Sequence, residues 1–177
     1  MRFACLALAM GLLAIGPATG AAAQSAATQS AAPGLVDHWS GPVAQRLLQS
    51  LGASDLQQTA LAGAPGLLGR TSSGISFGVY AKACSPMTPP AEPYCRGVEG
   101  IASFDPGRGA DRAALADRLN RQYAAGKFML ENDGTIRLTR YIDIDAGVSE
   151  ANLRSQLGEF LALANVAKDA VWAAPVR

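Results

Sequence analysis

Few residues of this sequence combine the types and the spacing that chemistry requires. The most suggestive set lies in the stretch YIDIDAGVS, where Asp143 and Asp145 stand two residues apart before a glycine and a serine. This is how a calcium-binding EF loop begins, but such a loop also needs glycine at its sixth position and glutamate at its twelfth. Those positions hold Val148 and Arg154. The stretch instead predicts a strand, a turn at Gly147 and the start of a helix, and no metal site.

The single histidine, His38, is the second candidate. With Asp37 beside it, His38 could act as a general base for a serine nucleophile. It lies next to Trp39 at the border of a segment of small polar residues, a position typical of an incidental polar side chain. The scattered carboxylates form no recognisable acid and base pair. We therefore predict no catalytic residues, no cofactor and a non-enzymatic protein.

Cysteines are the third candidate chemistry. Cys5 lies in the N-terminal apolar segment, which leaves Cys84 and Cys95 as a pair. A pair in an oxidising compartment favours a disulfide. Reducible, regulatory thiols are an alternative, and a zinc site is a weaker one, because zinc sites use closely spaced CxxC pairs with further ligands.

The N-terminus has the composition of a secretory signal peptide. Arg2 is followed by the apolar run LALAMGLLAI and then by small residues ending in Ala21-Ala22-Ala23. The apolar run is about half of the roughly 20 residues that a membrane-spanning helix needs. We predict a signal peptide over residues 1–23, cleavage between Ala23 and Gln24, a periplasmic or secreted protein, and no membrane anchor after cleavage.

Length and charge indicate one neutral domain. Removal of 23 of the 177 residues leaves 154, and loss of Arg2 takes the formal charge from +1 to 0. That length is typical of one domain with its own core. The basic residues are scattered, which argues against nucleic acid as a partner. The composition predicts a flexible linker over residues 24–35 and a folded domain over residues 36–172.

The apolar periodicity predicts the elements that must position these residues. A helix is expected over residues 40–52, two strands within 55–70, strands at 75–83 and 96–104, and a helix at 110–123. A hairpin with an Asn-Asp-Gly turn at 132–134 and a long helix from Ser149 follow. The order is helix, about three to four strands, helix, two-stranded hairpin, helix. This predicts an α+β fold in which three helices pack on an antiparallel sheet.

The segment SPMTPPAEPY at residues 85–94 holds four of the ten prolines and is predicted to be a loop. Cys84 and Cys95 flank it, so a disulfide would close the ends of a long hairpin at a Cα separation of about 5.5 Å. The bond would either stabilise the fold, by about 3 kcal/mol in the chain-entropy model, or stiffen a protruding binding loop. Candidate residues of an interaction surface are Pro86, Pro89, Pro90, Tyr94 and Asn120. For Asn120, in the middle of its helix, the favoured role is a helix–sheet contact or a backbone hydrogen bond, with ligand contact as the alternative.

Several of these features together resemble the YbjN-domain family of bacterial proteins. They include a first helix ending in LLQSLG, the strand ISFGVYAKAC leading to a cysteine, and the helix ADRLNRQY. The hairpin KFMLENDGTIRLTRYIDI and the junction AGVSEANL complete the set, which extends over residues 35–171. The tryptophan often found beside the family's asparagine is absent, so aromatic packing passes to Tyr123.

The resemblance implies an α+β domain similar to the type III secretion chaperones, with no established enzymatic activity and a loose label as a sensory-transduction regulator. We therefore expect an exported binding, regulatory or chaperone-like domain with an unknown protein or peptide partner. Two alternatives are an envelope protein whose domain mainly forms a homodimer and an enzyme with an unrecognised site.

Overall fold

A computed structural model of the chain describes residues 34–85, 93–107 and 111–172. The helices are α1 (Gly41–Ser50), α2 (Arg112–Gln122) and α3 (Glu150–Trp172). The strands are β1 (Leu35–Val36), β2 (Ser54–Leu61), β3 (Ala64–Arg70), β4 (Ser76–Ser85), β5 (Tyr94–Phe104), β6 (Lys127–Leu130), β7 (Ile136–Asp143) and β8 (Val148–Ser149). The predicted order of helices and strands and the α+β class are confirmed.

The strands form one large antiparallel sheet and one small one. The large sheet has six strands in the order β2-β3-β4-β5-β7-β6, and β1 pairs with β8 in a separate two-stranded sheet. Consecutive strands are neighbours except where β7 lies between β5 and β6. The edges of the large sheet are therefore β2 and β6.

Period-2 alternation gives the large sheet a core face and an open face. On the core face, Val79, Val98 and Leu138 are fully or nearly fully buried and join one cluster with residues of all three helices. On the open face, Tyr80 and Ile101 are half-buried and Tyr141 is 54% exposed. One face therefore carries the hydrophobic core, and the other meets solvent in the described part of the chain.

Helix α3 lies close to the sheet because the central strand has glycine at the point of contact. The ring of Phe160, which is fully buried, rests over Gly100, where an added Cβ would come within 2.8 Å of the ring carbons. The same ring packs edge-on against Phe77 of β4, with ring centroids 6.0 Å apart. The side chain of Phe160 therefore fills the space that Gly100 leaves, and this contact fixes the spacing between helix and sheet.

A charged side chain on the core face, Arg140, forms a second set of contacts between α3 and the sheet. Arg140 of β7 donates to Glu159 at 2.6 Å and to Gln156 at 3.1 Å, and also to the backbone carbonyl of Ala125. Only 13% of the Arg140 side chain is exposed, whereas that of Glu159 is 53% exposed. The guanidinium therefore joins β7, α3 and the segment that precedes β6.

The turn between β6 and β7 forms as its Asn-Asp-Gly sequence predicts. Gly134 takes a left-handed φ of 85°, and its N–H donates to the carbonyl of Glu131 at 2.9 Å. The carboxylate of Asp133 accepts from the backbone N–H of Thr135 at 2.9 Å and from its hydroxyl at 2.7 Å. These two hydrogen bonds hold the pKa of Asp133 below its ordinary value.

One boundary differs from the sequence prediction. Leu35, placed in the flexible linker, belongs to β1 and pairs with Ser149, and the carbonyl of Gly34 accepts from the N–H of Glu150 at 2.7 Å. The composition of the segment gave no strand signal, because the pairing depends on β8, more than a hundred residues away. The rest of the predicted linker and the whole predicted signal peptide lie outside the described residues.

Among the described residues, no helix has both the length and the apolar composition needed to cross a bilayer.

We expect Gly100→Ala to lower the free energy of unfolding by about 1 to 3 kcal/mol, because the new methyl group would overpack against Phe160. Chemical denaturation monitored by circular dichroism measures this. The control is Ser103→Ala, on the same strand but with an exposed side chain on the open face. In the double variant Gly100→Ala, Phe160→Leu, part of the loss should be recovered. Equal stability of Gly100→Ala and the wild type would contradict this packing.

The Asp133 carboxyl should titrate below its ordinary pKa, as NMR measurement across acid pH can test. Because its folded-state pKa is depressed, its stabilising effect is complete above the unfolded-state pKa and is lost as pH falls through the folded-state pKa. Asp133→Asn should therefore reduce the acid dependence of unfolding. Asp117, exposed on α2, provides the matched control in Asp117→Asn. An ordinary pKa at Asp133 would argue against the turn geometry.

Candidate functional site

The disulfide joins β4 to β5 at one end of the sheet. Cys84 and Cys95 are directly opposed cross-strand partners and are bonded to each other. Their Cα atoms lie 3.8 Å apart, closer than the predicted 5.5 Å, next to Ala83, which takes a left-handed φ of 50°. Cys95 is fully buried, whereas Cys84 is exposed. The predicted pairing is therefore present, and it closes the hairpin that carries the proline-rich segment.

Trp39 is attached to the same end of the sheet through the backbone. Its N–H donates to the carbonyl of Cys95 at 2.8 Å, and its half-buried ring packs against the core. Helix α1 begins two residues later, with Pro42 in its first turn, where the missing N–H costs nothing. The indole and the start of α1 are therefore held beside the disulfide.

A concave surface, here called the Trp39 cleft, opens between the start of α1 and the β2-β3 hairpin. It encloses about 340 Å³. Its apolar walls are Trp39, Pro42, Pro65 and Pro93, with Leu67 in its floor. An adjoining depression of about 270 Å³ shares Trp39, Pro42 and Pro93 and extends to His38 and Tyr94. This size and this mainly apolar lining are typical of sites that bind small ligands or side chains.

His38 and Tyr94 form the rim of the cleft. Their rings stack with centroids 5.3 Å apart and planes inclined by 25°. His38 Nδ1 is 2.6 Å from the carboxylate of Asp37, and the Tyr94 hydroxyl donates to the Asp37 carbonyl at 3.2 Å. Among the described residues, no serine, threonine or cysteine side chain hydrogen-bonds to His38. In this arrangement His38 orients the ring of Tyr94, and the His38 side chain remains about half exposed to solvent.

Residues 74–78, GISFG, match the GxSxG spacing of a serine-hydrolase nucleophile, a match that went unrecognised in the sequence. The nucleophile motif requires a sharp turn from a strand into a helix. Here the motif leads from a turn into β4, with Ser76 as the first strand residue. Ser76 precedes Cys84 by eight strand residues, roughly 26 Å at about 3.3 Å per residue. It is therefore remote from His38.

The stretch YIDIDAGVS forms a strand, a turn, a short strand and a helix start. Asp143 accepts from the N–H of Asp145 at 3.0 Å, and Asp145 pairs with Arg96 at 3.2 Å. Gly147 has a left-handed φ of 79°, and the Ser149 hydroxyl accepts from the N–H of Asn152 at 3.1 Å, as an N-cap does. Across the described segments, no group of three or more His, Cys, Asp or Glu side chains could hold a metal ion.

Asn120 occupies a different part of the molecule from Tyr94. Its side-chain amide donates to the carbonyl of Phe128 at 2.8 Å, and its side-chain carbonyl accepts from the N–H of Phe128 at 2.8 Å. Phe128 lies opposite Leu138, which lies opposite Ala102, eight residues along β5 from Tyr94. That separation is roughly 26 Å. These hydrogen bonds to the backbone of Phe128 are the role that the sequence favoured for Asn120. The strand register separates Asn120 from Tyr94.

The other predicted site residues are untested. Pro86, Pro89 and Pro90 lie outside the described residues, as do Ala23 and Gln24. The sequence analysis missed the walls of the cleft, Trp39, Pro42 and Pro65. A weak signal was available, since Trp39 and Pro42 flank a predicted helix start, but their proximity to Pro65 depends on the tertiary fold.

These features define an α+β domain with a preformed apolar cleft at the disulfide end of its sheet. The sequence profile described as "YbjN: Putative bacterial sensory transduction regulator" matches residues 100–171. No curated protein sequence matches the chain. Among solved structures, "Crystal structure of YbjN, a putative transcription regulator from E. coli" is similar, at 15% identity and a TM-score of 0.43, covering 76% of this chain and 96% of that chain.

The profile match over residues 100–171 confirms the predicted resemblance to the YbjN family. These residues comprise the second half of β5, from Gly100, and the segment from α2 to the last turn of α3, including the Asn120 hydrogen bonds and the Ser149 N-cap. The half-buried Tyr123 packs against the core as the aromatic residue of the α2 end. The family is described as a regulator.

We expect Asn120→Ala to destabilise the domain by about 1 to 3 kcal/mol, because it leaves the backbone N–H and carbonyl of Phe128 without partners. Thermal or urea unfolding measures the loss. The control Arg121→Ala changes the next, exposed residue on α2, away from β6. Hydrogen exchange should show faster exchange of the Phe128 amide in Asn120→Ala only. Unaltered exchange there would exclude the proposed contact.

Proposed function

We propose that the chain is an exported, non-enzymatic interaction domain that binds an extended, apolar segment of a protein or peptide partner in the Trp39 cleft. The observation that carries the proposal is the cleft itself. Its walls combine one tryptophan with three prolines, and its volume is about 340 Å³. Aromatic and proline side chains lose little conformational entropy on binding, so such a surface favours association with apolar groups.

The rigidity of the cleft supports a preformed site. The disulfide fixes Cys95, the Cys95 carbonyl holds the N–H of Trp39, and stacking on His38 holds Tyr94. The polar groups at the rim can orient a partner backbone, while the apolar walls take its side chains. A site that is already ordered avoids part of the entropy cost of binding.

Export is part of the proposal. The N-terminal sequence has the pattern of a signal peptide cleaved between Ala23 and Gln24, which would leave a protein of the periplasm or the exterior without a membrane anchor. The bond between Cys84 and Cys95 is consistent with an oxidising compartment. An extracytoplasmic location also fits a partner that is itself an envelope or secreted protein.

A second candidate function is self-association through the open face of the sheet. Tyr141 is 54% exposed and Leu68 is 42% exposed on that face. Such a face could pair with a second copy of the chain about a two-fold axis. It carries the charged pair Lys82 and Glu99, 2.6 Å apart, and lacks the concavity of the Trp39 cleft. We therefore favour the cleft.

A random peptide library displayed on phage, selected on the oxidised protein lacking residues 1–23, tests the proposal. The chain has two tryptophans, so the background Trp172→Phe makes Trp39 the only tryptophan reporter. We expect enriched apolar peptides to shift Trp39 emission to shorter wavelength. Pro65→Glu should abolish binding by placing a charge in the cleft, whereas Leu68→Glu, on the opposite face of the same strand, should leave binding intact.

The opposite pattern would overturn the cleft proposal. If Leu68→Glu abolishes self-association in size-exclusion mass measurements, and the wild-type protein is a dimer that enriches no peptide, the open face is the functional surface. Turnover in a panel of hydrolase substrates that disappears in His38→Ala would overturn the non-enzymatic assignment.

A further inference from the structure

The two edges of the large sheet differ in how their backbone groups are protected. At β6, Asn120 occupies both the N–H and the carbonyl of Phe128, much as a neighbouring strand would. At β2, the described part of the chain provides no equivalent partner. An unprotected edge strand is a template for pairing with another extended chain.

The hairpin turn identifies which backbone groups of β2 point outward. Ala62 and Gly63 form a two-residue loop with left-handed φ values of 51° and 84°, the geometry of a type I′ turn. The residues that flank such a loop, Leu61 and Ala64, form a hydrogen-bonded pair, and the pairs then alternate along the ladder. Ala60, opposite Pro65, is thus in a non-hydrogen-bonded pair, as the missing N–H of proline requires.

The same alternation makes Gln58, opposite Leu67, outward-facing as well. The N–H and carbonyl groups of Gln58 and Ala60 therefore lie along the free edge. The residues from Gln57 to Leu61 carry no charge. The features that usually block an edge, a register shift and the charged pair of Asp55 with Arg70, occur only at the other end of the strand.

The free edge and the Trp39 cleft are one continuous surface. Gln58, Thr59 and Ala60 line the cleft opposite Trp39 and Pro42. We propose that the partner segment binds as an added antiparallel or parallel strand along residues 58–60 of β2, with alternate apolar side chains inserted into the cleft. This inference rests on the proposed function and specifies its mode: backbone hydrogen bonds give register, and the cleft selects side chains.

The cleft favours a peptide over a second copy of this chain as the occupant. In a two-fold pairing of β2 with itself, the side chains facing the cleft would be those of Gln58 and Ala60. A methyl group and a solvated amide would leave most of a cleft of about 340 Å³ unfilled. An extended partner with a leucine, phenylalanine or proline at alternate positions would fill it.

A single proline substitution on β2 tests whether the partner binds by strand addition. Ala60→Pro removes the outward N–H but no hydrogen bond within the sheet, and edge strands tolerate proline where the N–H faces solvent. Against a peptide enriched from the phage library on the wild-type protein, we expect affinity to fall about tenfold or more, as for one lost hydrogen bond of about 1.4 kcal/mol. The matched control Ala60→Ser keeps the N–H and should bind like the wild type.

Hydrogen exchange on the wild-type complex provides a measurement that needs no variant to fold. Bound peptide should slow exchange of the Gln58 and Ala60 amides, while the Thr59 amide, already paired within the sheet, should change less. N-methylation of the peptide at alternate residues should separate positions that abolish binding from those that do not.

The outcomes distinguish the two proposals. One outcome would overturn strand addition and retain the proposed function. In it, peptides lose affinity for Pro65→Glu but bind Ala60→Pro normally, and the Gln58 and Ala60 amides stay unprotected. Failure of the library to enrich any peptide on the oxidised protein would overturn both. Loss of affinity in Ala60→Pro and not in Ala60→Ser, with protection of both amides, would support both.

Discussion

The contact of Phe160 with Gly100 determines the spacing on which the rest of the molecule depends. Because the central strand has no side chain at that point, α3 approaches the sheet closely enough for its ring to reach Phe77 as well. Helix α1 then packs against α3, where an added Cβ on Gly158 would lie 3.2 Å from Leu51. A bulkier residue at position 100 would push α3 outward, and α1 with it. The position of the start of α1, one wall of the Trp39 cleft, therefore follows from a glycine on a strand at the centre of the sheet.

At the disulfide end of the sheet, a covalent bond and a hydrogen bond fix the positions of neighbouring segments. The β4-β5 pairing ends there, and Cys84 is exposed while Cys95 is buried. The disulfide holds β4 to β5 at this end, and the Cys95 carbonyl fixes the backbone of Trp39 through one hydrogen bond at 2.8 Å. The disulfide can therefore both stabilise the fold and order a binding surface. The same buried residue, Cys95, takes part in the strand pairing and holds Trp39, a wall of the cleft.

Most of the secondary structure could be predicted from periodicity, and most of the site could not. The alternation of Phe77, Val79 and Ala81 and the helical spacing of Leu153, Leu157 and Phe160 are local signals of burial, and both are present in the fold. Ser149 and Gly147 likewise have roles set by their immediate neighbours. The cleft, in contrast, joins residues 39, 42, 65 and 93, which only the sheet order brings together. A backbone hydrogen bond was the favoured role for Asn120, but its partner Phe128 could not be predicted, since nothing in the helix reveals that β6 is an edge strand. The match of residues 74–78 to a nucleophile motif is the converse case, a local pattern without the strand-to-helix turn that gives it chemistry.

The backbone groups of the two sheet edges are unequally protected, and this difference bears on the function of the domain. Protection of an edge costs little, as one asparagine at the end of α2 blocks both outward groups of Phe128. Along β2, protection is present near Ser54 and Asp55 and absent at Gln58 and Ala60, where the cleft begins. A domain selected only for stability and solubility would gain from a charge or a bulge at that position as well. Pro65 favours the opposite outcome, because its missing N–H leaves Ala60 in a non-hydrogen-bonded pair whose backbone groups face outward. The open part of the edge therefore coincides with the apolar cleft, and a single extended segment could satisfy the backbone groups of one and the side-chain volume of the other.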